Sequence, residues 1–193
     1  MIASIQKIDW YSNQEFNLGL EGGWHVTLAS IQKIFGLDVK QWIYIPIFIH
    51  ILSIFLVFVF TFKLLGKKEA LISSFLTSLI PSNVTIGGPV FLVPVNLSLI
   101  FIPLALLFAF DLTYLKPIYN YLALFSIITF VLYAHPPTAM VLLTILGFYF
   151  LLNIFSKNEE SKQKAIFLLL TISLSILISL PNYIPEIQRK GLQ

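Results

Sequence analysis

Cysteine is absent from the 193 residues, so no disulfide, thiolate metal site or cysteine nucleophile can form, and redox chemistry says nothing about compartment. Charge is scarce: Asp, Glu, Lys and Arg make up 11% of the chain, against roughly a quarter in an ordinary soluble domain. No P-loop, Rossmann glycine pattern or His-Glu-x-x-His occurs, and no spacing of histidines fits a zinc site. Residues 1–17 mix polar and apolar side chains, with Asp9 and Glu15 interrupting them, and are not expected to act as a cleavable signal peptide.

What remains is apolar. Hydrophobic residues make up 58% of the chain, with 18 Phe, 8 Tyr and 3 Trp, and the mean hydropathy is +0.89. So little polar surface cannot cover a fold in water, and the chain reads as an integral membrane protein surrounded by lipid. The formal charge of +3 comes from Lys and Arg scattered through short connectors, so no nucleic-acid partner is expected.

The expected fold is all-α, a polytopic transmembrane helix bundle with about six spans and a short amphipathic interfacial helix. That helix follows Gly22-Gly23: Trp24, Leu28, Ile31 and Phe35 recur at helical spacing, and Gly36 is a stop. The spans are Trp42 to Phe62, Ala70 to Ile80 with an extension through Ile86, Pro89 to Phe110, Pro117 to Ala134, Thr138 to Phe155, and Ala165 to Leu180. The second is the shortest, and a re-entrant segment is its alternative. Pro94 and Pro103 are expected to kink the third, and Pro181 to end the sixth. Residues 1–41 then form an outer-side segment, 42–181 the membrane domain and 182–193 an outer-side tail.

Odd-numbered crossings lead to connectors 63–69, 111–116 and 156–164. These carry Lys63, Lys67, Lys68, Lys116, Lys157, Lys162 and Lys164 against Glu69, Asp111, Glu159 and Glu160. That excess of lysine assigns them to the cytoplasmic face of the cell membrane, with both termini on the opposite side. Asn83-Val84-Thr85 would be a glycosylation acceptor on that outer side, or simply a turn whose side chains satisfy backbone.

Few side chains can carry chemistry. Glu21 precedes Gly22-Gly23-Trp24-His25, where a glycine pair lets backbone approach a ligand, Glu21 can serve as a general base and His25 lies on the polar face; an ordinary helix entrance explains the same letters. Asp9 and Glu15 offer hard oxygens to a divalent cation, or are solvated acids. His50 lies alone within the first span, as a packed neutral ring or a functional group. His135-Pro136-Pro137 is a rigid outer corner that can aim an imidazole at an external cavity.

Glu21-Gly-Gly-Trp-His25-Val-Thr-Leu, followed by Phe-Gly-Leu at 35–37, resembles the outer-loop region of polytopic glycosyltransferases with the GT-C fold, such as protein mannosyltransferases and oligosaccharyltransferase catalytic subunits. His50 to Ala70, Ala70 to Asn83 and Ala134-His135-Pro136-Pro137-Thr138-Ala139 resemble later pieces, so the likeness covers about residues 20–155 and corresponds to an N-terminal portion. The resemblance implies transfer of a sugar from a polyprenyl-phosphate carrier at the outer surface. It implies an acidic residue acting as base or metal ligand, here Glu21, with Asp9 as the second choice. Contacts to the donor phosphate would come from Lys33, Lys40, Arg189 or Lys190, or from a partner chain, and His135 would face the substrate. The family's paired acids are absent, since Glu21 is followed by Gly22. Two other functions fit the same spans: a noncatalytic assembly subunit with a membrane protein partner, and a transporter or channel component.

Overall fold

The computed structural model describes residues 22–37, 41–42, 44–80 and 94–191. Their regular structure is helical throughout: α1 (Gly22–Phe35), α2 (Tyr44–Leu64), α3 (Lys67–Ser78), α4 (Pro94–Ala109), α5 (Pro117–Ala134), α6 (Pro136–Ile154) and α7 (Glu159–Gly191). Among the described residues four stretches are long and apolar enough to cross a membrane, Tyr44–Leu64, Pro117–Ala134, Pro136–Ile154 and Glu159–Ile184. The protein is thus a polytopic helix bundle, with four clear spans among its described residues where the sequence led us to expect about six.

The shortfall lies in α3 and α4. The 12 residues of α3 rise about 18 Å, well short of the roughly 30 Å hydrocarbon layer. Its sequence explains the early stop. Lys67, Lys68 and Glu69 fill the first turn, and hydroxyls interrupt the rest: Ser74 donates to the Ala70 carbonyl, Thr77 to Ser73 and Ser78 to Phe75. The expected extension through Ile86 lies outside the described residues. Helix α4 has 16 described residues and carries Pro103 inside it, while the expected start of this span at 89–93 lies outside the described residues.

Helix α7 corrects a different expectation. It does not end at Pro181 but runs 33 residues through Pro181 and Pro185. It also begins earlier, at Glu159, because the Asn158 side chain accepts from the Glu160 N–H and the two glutamates suit the positive end of the helix dipole. The connector from α6 thereby shrinks to 155–158.

Helices α5, α6 and α7 pack around Leu124, Ile128, Val131, Leu142, Leu146 and Leu168, with Ala105 and Leu106 of α4 joining them. In lipid, apolar burial gains little, so close contact of small residues has to supply the attraction. Thr171, Ser175 and Ser179 form such a stripe on α7, buried against the bundle, and Ser175 shares its hydroxyl between Thr171 O and Phe125 O of α5. The periphery is inverted relative to a soluble protein: Phe48, Phe55, Phe148, Leu152 and Leu177 are all exposed. Helix α1 follows the expected pattern at one end only. Trp24 and Leu28 are buried with Trp42 against Ile45 and Leu97, while Phe35 is exposed beside Gly36, whose φ of 60° ends the helix.

Candidate functional site

The three lysine-bearing connectors meet at one end of the bundle. Lys63, in the last turn of α2, donates to the Tyr114 hydroxyl at 2.9 Å and lies 4.0 Å from that ring's centre. This hydrogen bond and the ammonium's charge hold the Tyr114 phenol below its usual range. Lys164, one turn into α7, lies 3.0 Å from Glu160 and 3.8 Å from Asp111. One connector is thus tied to both others, as the alternation of crossings requires.

Asp111 sits at a positive φ of 57°, a conformation that Asp tolerates better than most residues, and this turns the chain from α4 towards α5. Its carboxylate accepts from the amide of Asn120, which is 2% exposed and accepts in turn from Thr113 at 2.6 Å. A cavity of about 370 Å³ opens beside this chain of bonds, between the start of α5 and the first turns of α7. Sequence reasoning treated these residues only as connector charges. The available signal was Asn120, an amide one turn inside an otherwise apolar span.

The opposite end holds three of the residues picked out from the sequence, Gly23, His25 and His135. Gly23 packs on the last turn of α5 so closely that a Cβ there would lie 2.7 Å from the Tyr133 carbonyl carbon and 2.8 Å from its oxygen. The glycine's freedom is spent on a helix contact and not on a ligand. His25, two residues on, is half-buried. His135 caps α6: its Nδ1 accepts from the Thr138 N–H at 3.3 Å and lies 2.7 Å from the Thr138 hydroxyl. Pro136 and Pro137 follow in the first turn of α6, where missing N–H groups cost that helix nothing.

Those prolines do cost α5 something. Its carbonyls at Leu132 and Tyr133 would ordinarily receive the N–H groups four residues on, which are Pro136 and Pro137. The Tyr183 hydroxyl of α7 donates to Leu132 O, and the Tyr133 hydroxyl donates back to Ile178 O at 3.0 Å. A reciprocal pair of phenols thus ties α5 to the stretch of α7 around Pro181.

Asp9, Glu15 and Glu21 lie outside the described residues. Arg189 belongs to the last turn of α7, and His50 is half-buried in the second turn of α2. Among the described residues no group of three or more His, Asp or Glu side chains is placed to hold a metal ion. Comparison with known protein families, with characterised proteins and with solved structures finds no match to this chain. What the fold defines is a class, the multi-pass α-helical integral membrane proteins.

Proposed function

We propose that this chain is the membrane part of a transferase that takes a sugar from a polyprenyl-phosphate carrier at the outer face of the cell membrane. The observation that favours it is a convergence. The start of α1, one residue beyond Glu21, rests on the end of α5, and that end leads directly into the His135 corner. Two segments far apart in sequence, both drawn from the GT-C likeness, therefore meet at one end of the bundle. In this reading the lysine-rich end faces the cytoplasm. Glu21 is the base or a cation ligand, with Asp9 as a further oxygen ligand, His25 assists it, and His135 and Arg189 line the approach of the donor.

The test is sugar transfer by the full chain in proteoliposomes supplied with a polyprenyl-phosphate sugar. Loss of a general base lowers turnover by about a hundredfold or more, so Glu21→Gln should fall by that much. Unchanged transfer by this variant removes Glu21 from the role.

A second reading, a noncatalytic assembly subunit, is favoured by α3. That helix is too short to span, yet it exposes Leu71, Ile72, Phe75 and Leu76, a surface that another membrane protein can cover. A single chain that stays monodisperse in mild detergent would count against it.

A further inference from the structure

The cavity at the lysine-bearing end has two kinds of wall. Asp111, Asn120, Tyr121, Glu160, Gln163 and Lys164 line its polar part, while Phe108, Pro117, Ile118 and Phe167 complete it. Its volume of about 370 Å³ falls within the roughly 300–1,000 Å³ of small-molecule sites. Ile118 and Phe167 are 56% and 42% exposed, so the apolar wall continues onto the flank that faces acyl chains. The polar part lies at the level of the connectors, where headgroups reside.

We propose that this cavity binds the headgroup of a zwitterionic phospholipid, an ammonium joined to a phosphodiester. The charges decide the class. Two carboxylates and one ammonium line the site, so a purely anionic headgroup would meet Asp111 and Glu160, and a simple cation would meet Lys164. A zwitterion satisfies both: its phosphate takes Lys164 and its ammonium takes Glu160, with the stacked rings of Tyr121 and Phe167, 5.3 Å apart, offering π-faces beside it. The existing Lys164–Glu160 pair is no obstacle. Its side chains are 36% and 69% exposed, and such a pair is worth at most about 1 kcal/mol, so a headgroup can insert between them. Asp111 keeps its bond from Asn120 and holds the turn while Glu160 is recruited. This site lies at the other end of the bundle from Gly23 and His135, and stands independently of any transfer activity.

The experiment uses the full chain, delipidated in mild detergent and offered phosphatidylethanolamine or phosphatidylglycerol of matched chains, with bound lipid read by native mass spectrometry. Retention of phosphatidylethanolamine should exceed that of phosphatidylglycerol by about fivefold, the ratio that one exposed ion pair supplies. Glu160→Gln should abolish that preference without loss of helical content, because its carboxylate is exposed and holds only Lys164. Glycerophosphoethanolamine, which has the same headgroup and no acyl chains, should fail to displace the lipid at equal concentration. Equal retention of both lipids, or an unchanged preference in Glu160→Gln, overturns the site. Displacement by the water-soluble diester as readily as by lipid overturns the membrane source of the ligand.

Discussion

The two ends of the bundle solve one problem, the closing of helix ends at a membrane surface, by different chemistry. At the lysine-bearing end, turns are closed by side chains that carry charge: Asp111 on Asn120, Lys164 between Asp111 and Glu160, Lys63 on Tyr114. At the histidine end, described contacts between helices use hydroxyls and backbone: Tyr183 on Leu132 O, Tyr133 on Ile178 O, Gly23 against Tyr133. The lysine bonds tolerate small displacements, since their side chains are long and partly solvated. A backbone contact without a Cβ tolerates none. The first end should therefore respond to loss of a polar partner and the second to added volume.

The largest effect is expected where volume is added. Gly23→Val places carbon atoms inside the space held by the carbonyl of Tyr133, which belongs to a packed helix and cannot swing away. Overpacking of this kind costs about 3 kcal/mol at the upper end of its range. The variant should lose α1 from the bundle while α5, α6 and α7 stay assembled, because their core does not include α1. Protease sensitivity near residue 30, with the Tm of the remaining bundle in detergent largely kept, would show it; native protease resistance there would mean that α1 rests elsewhere.

At the other end the corresponding experiment is removal of a polar group. Asn120→Leu keeps the volume of the buried side chain but takes the donor from Asp111 and the acceptor from Thr113. The expected loss is about 2 kcal/mol, the scale of a hydrogen bond to a charged group. Both the cavity and its lipid preference should go with it, since Asn120 and Asp111 shape the same wall. If the variant unfolds with the native midpoint, the network is incidental.

What could be read from the letters follows from which forces act along the chain and which act across it. The bounds of α5 were legible to the residue, because Pro117 and His135-Pro136 punctuate it covalently and locally. The fate of the second span was not. Its apolar run from Ala70 to Ile80 coincides with a helix of 12 residues, and the extension on which a crossing depends falls on residues outside the description. Pro181 misled for the opposite reason. A proline reads as a stop because it removes one rung of the helical ladder, whereas here α7 continues through Pro181 and is held to α5 on either side of it, by Tyr133 at Ile178 and by Tyr183 at Leu132. Of the candidate site, the meeting of Gly23 with the turn before His135 was not visible in either motif alone, and Asp111, Asn120 and Lys164 were dispersed over more than fifty positions. Pairings between distant segments leave no local periodicity to read.

The tyrosine pair gives the smallest and most discriminating test, because its two hydrogen bonds look alike and should differ in worth. Tyr183 donates to the Leu132 carbonyl, whose helical partner would be the N–H of residue 136, and residue 136 is a proline. Tyr133 donates to the Ile178 carbonyl, and residue 182, four positions on, is an asparagine with its N–H available within the helix. Tyr183→Phe therefore strands an acceptor at a partly buried site and should cost about 1 kcal/mol, whereas Tyr133→Phe leaves a satisfied carbonyl and should cost under about half of that. Both variants remove one hydroxyl from the same interface, so a comparison of their unfolding midpoints cancels the general loss of packing. Equal midpoints would show that the proline-induced deficit at the end of α5 is met by something other than Tyr183, and the contrast between the two ends of the bundle would lose its clearest physical cause.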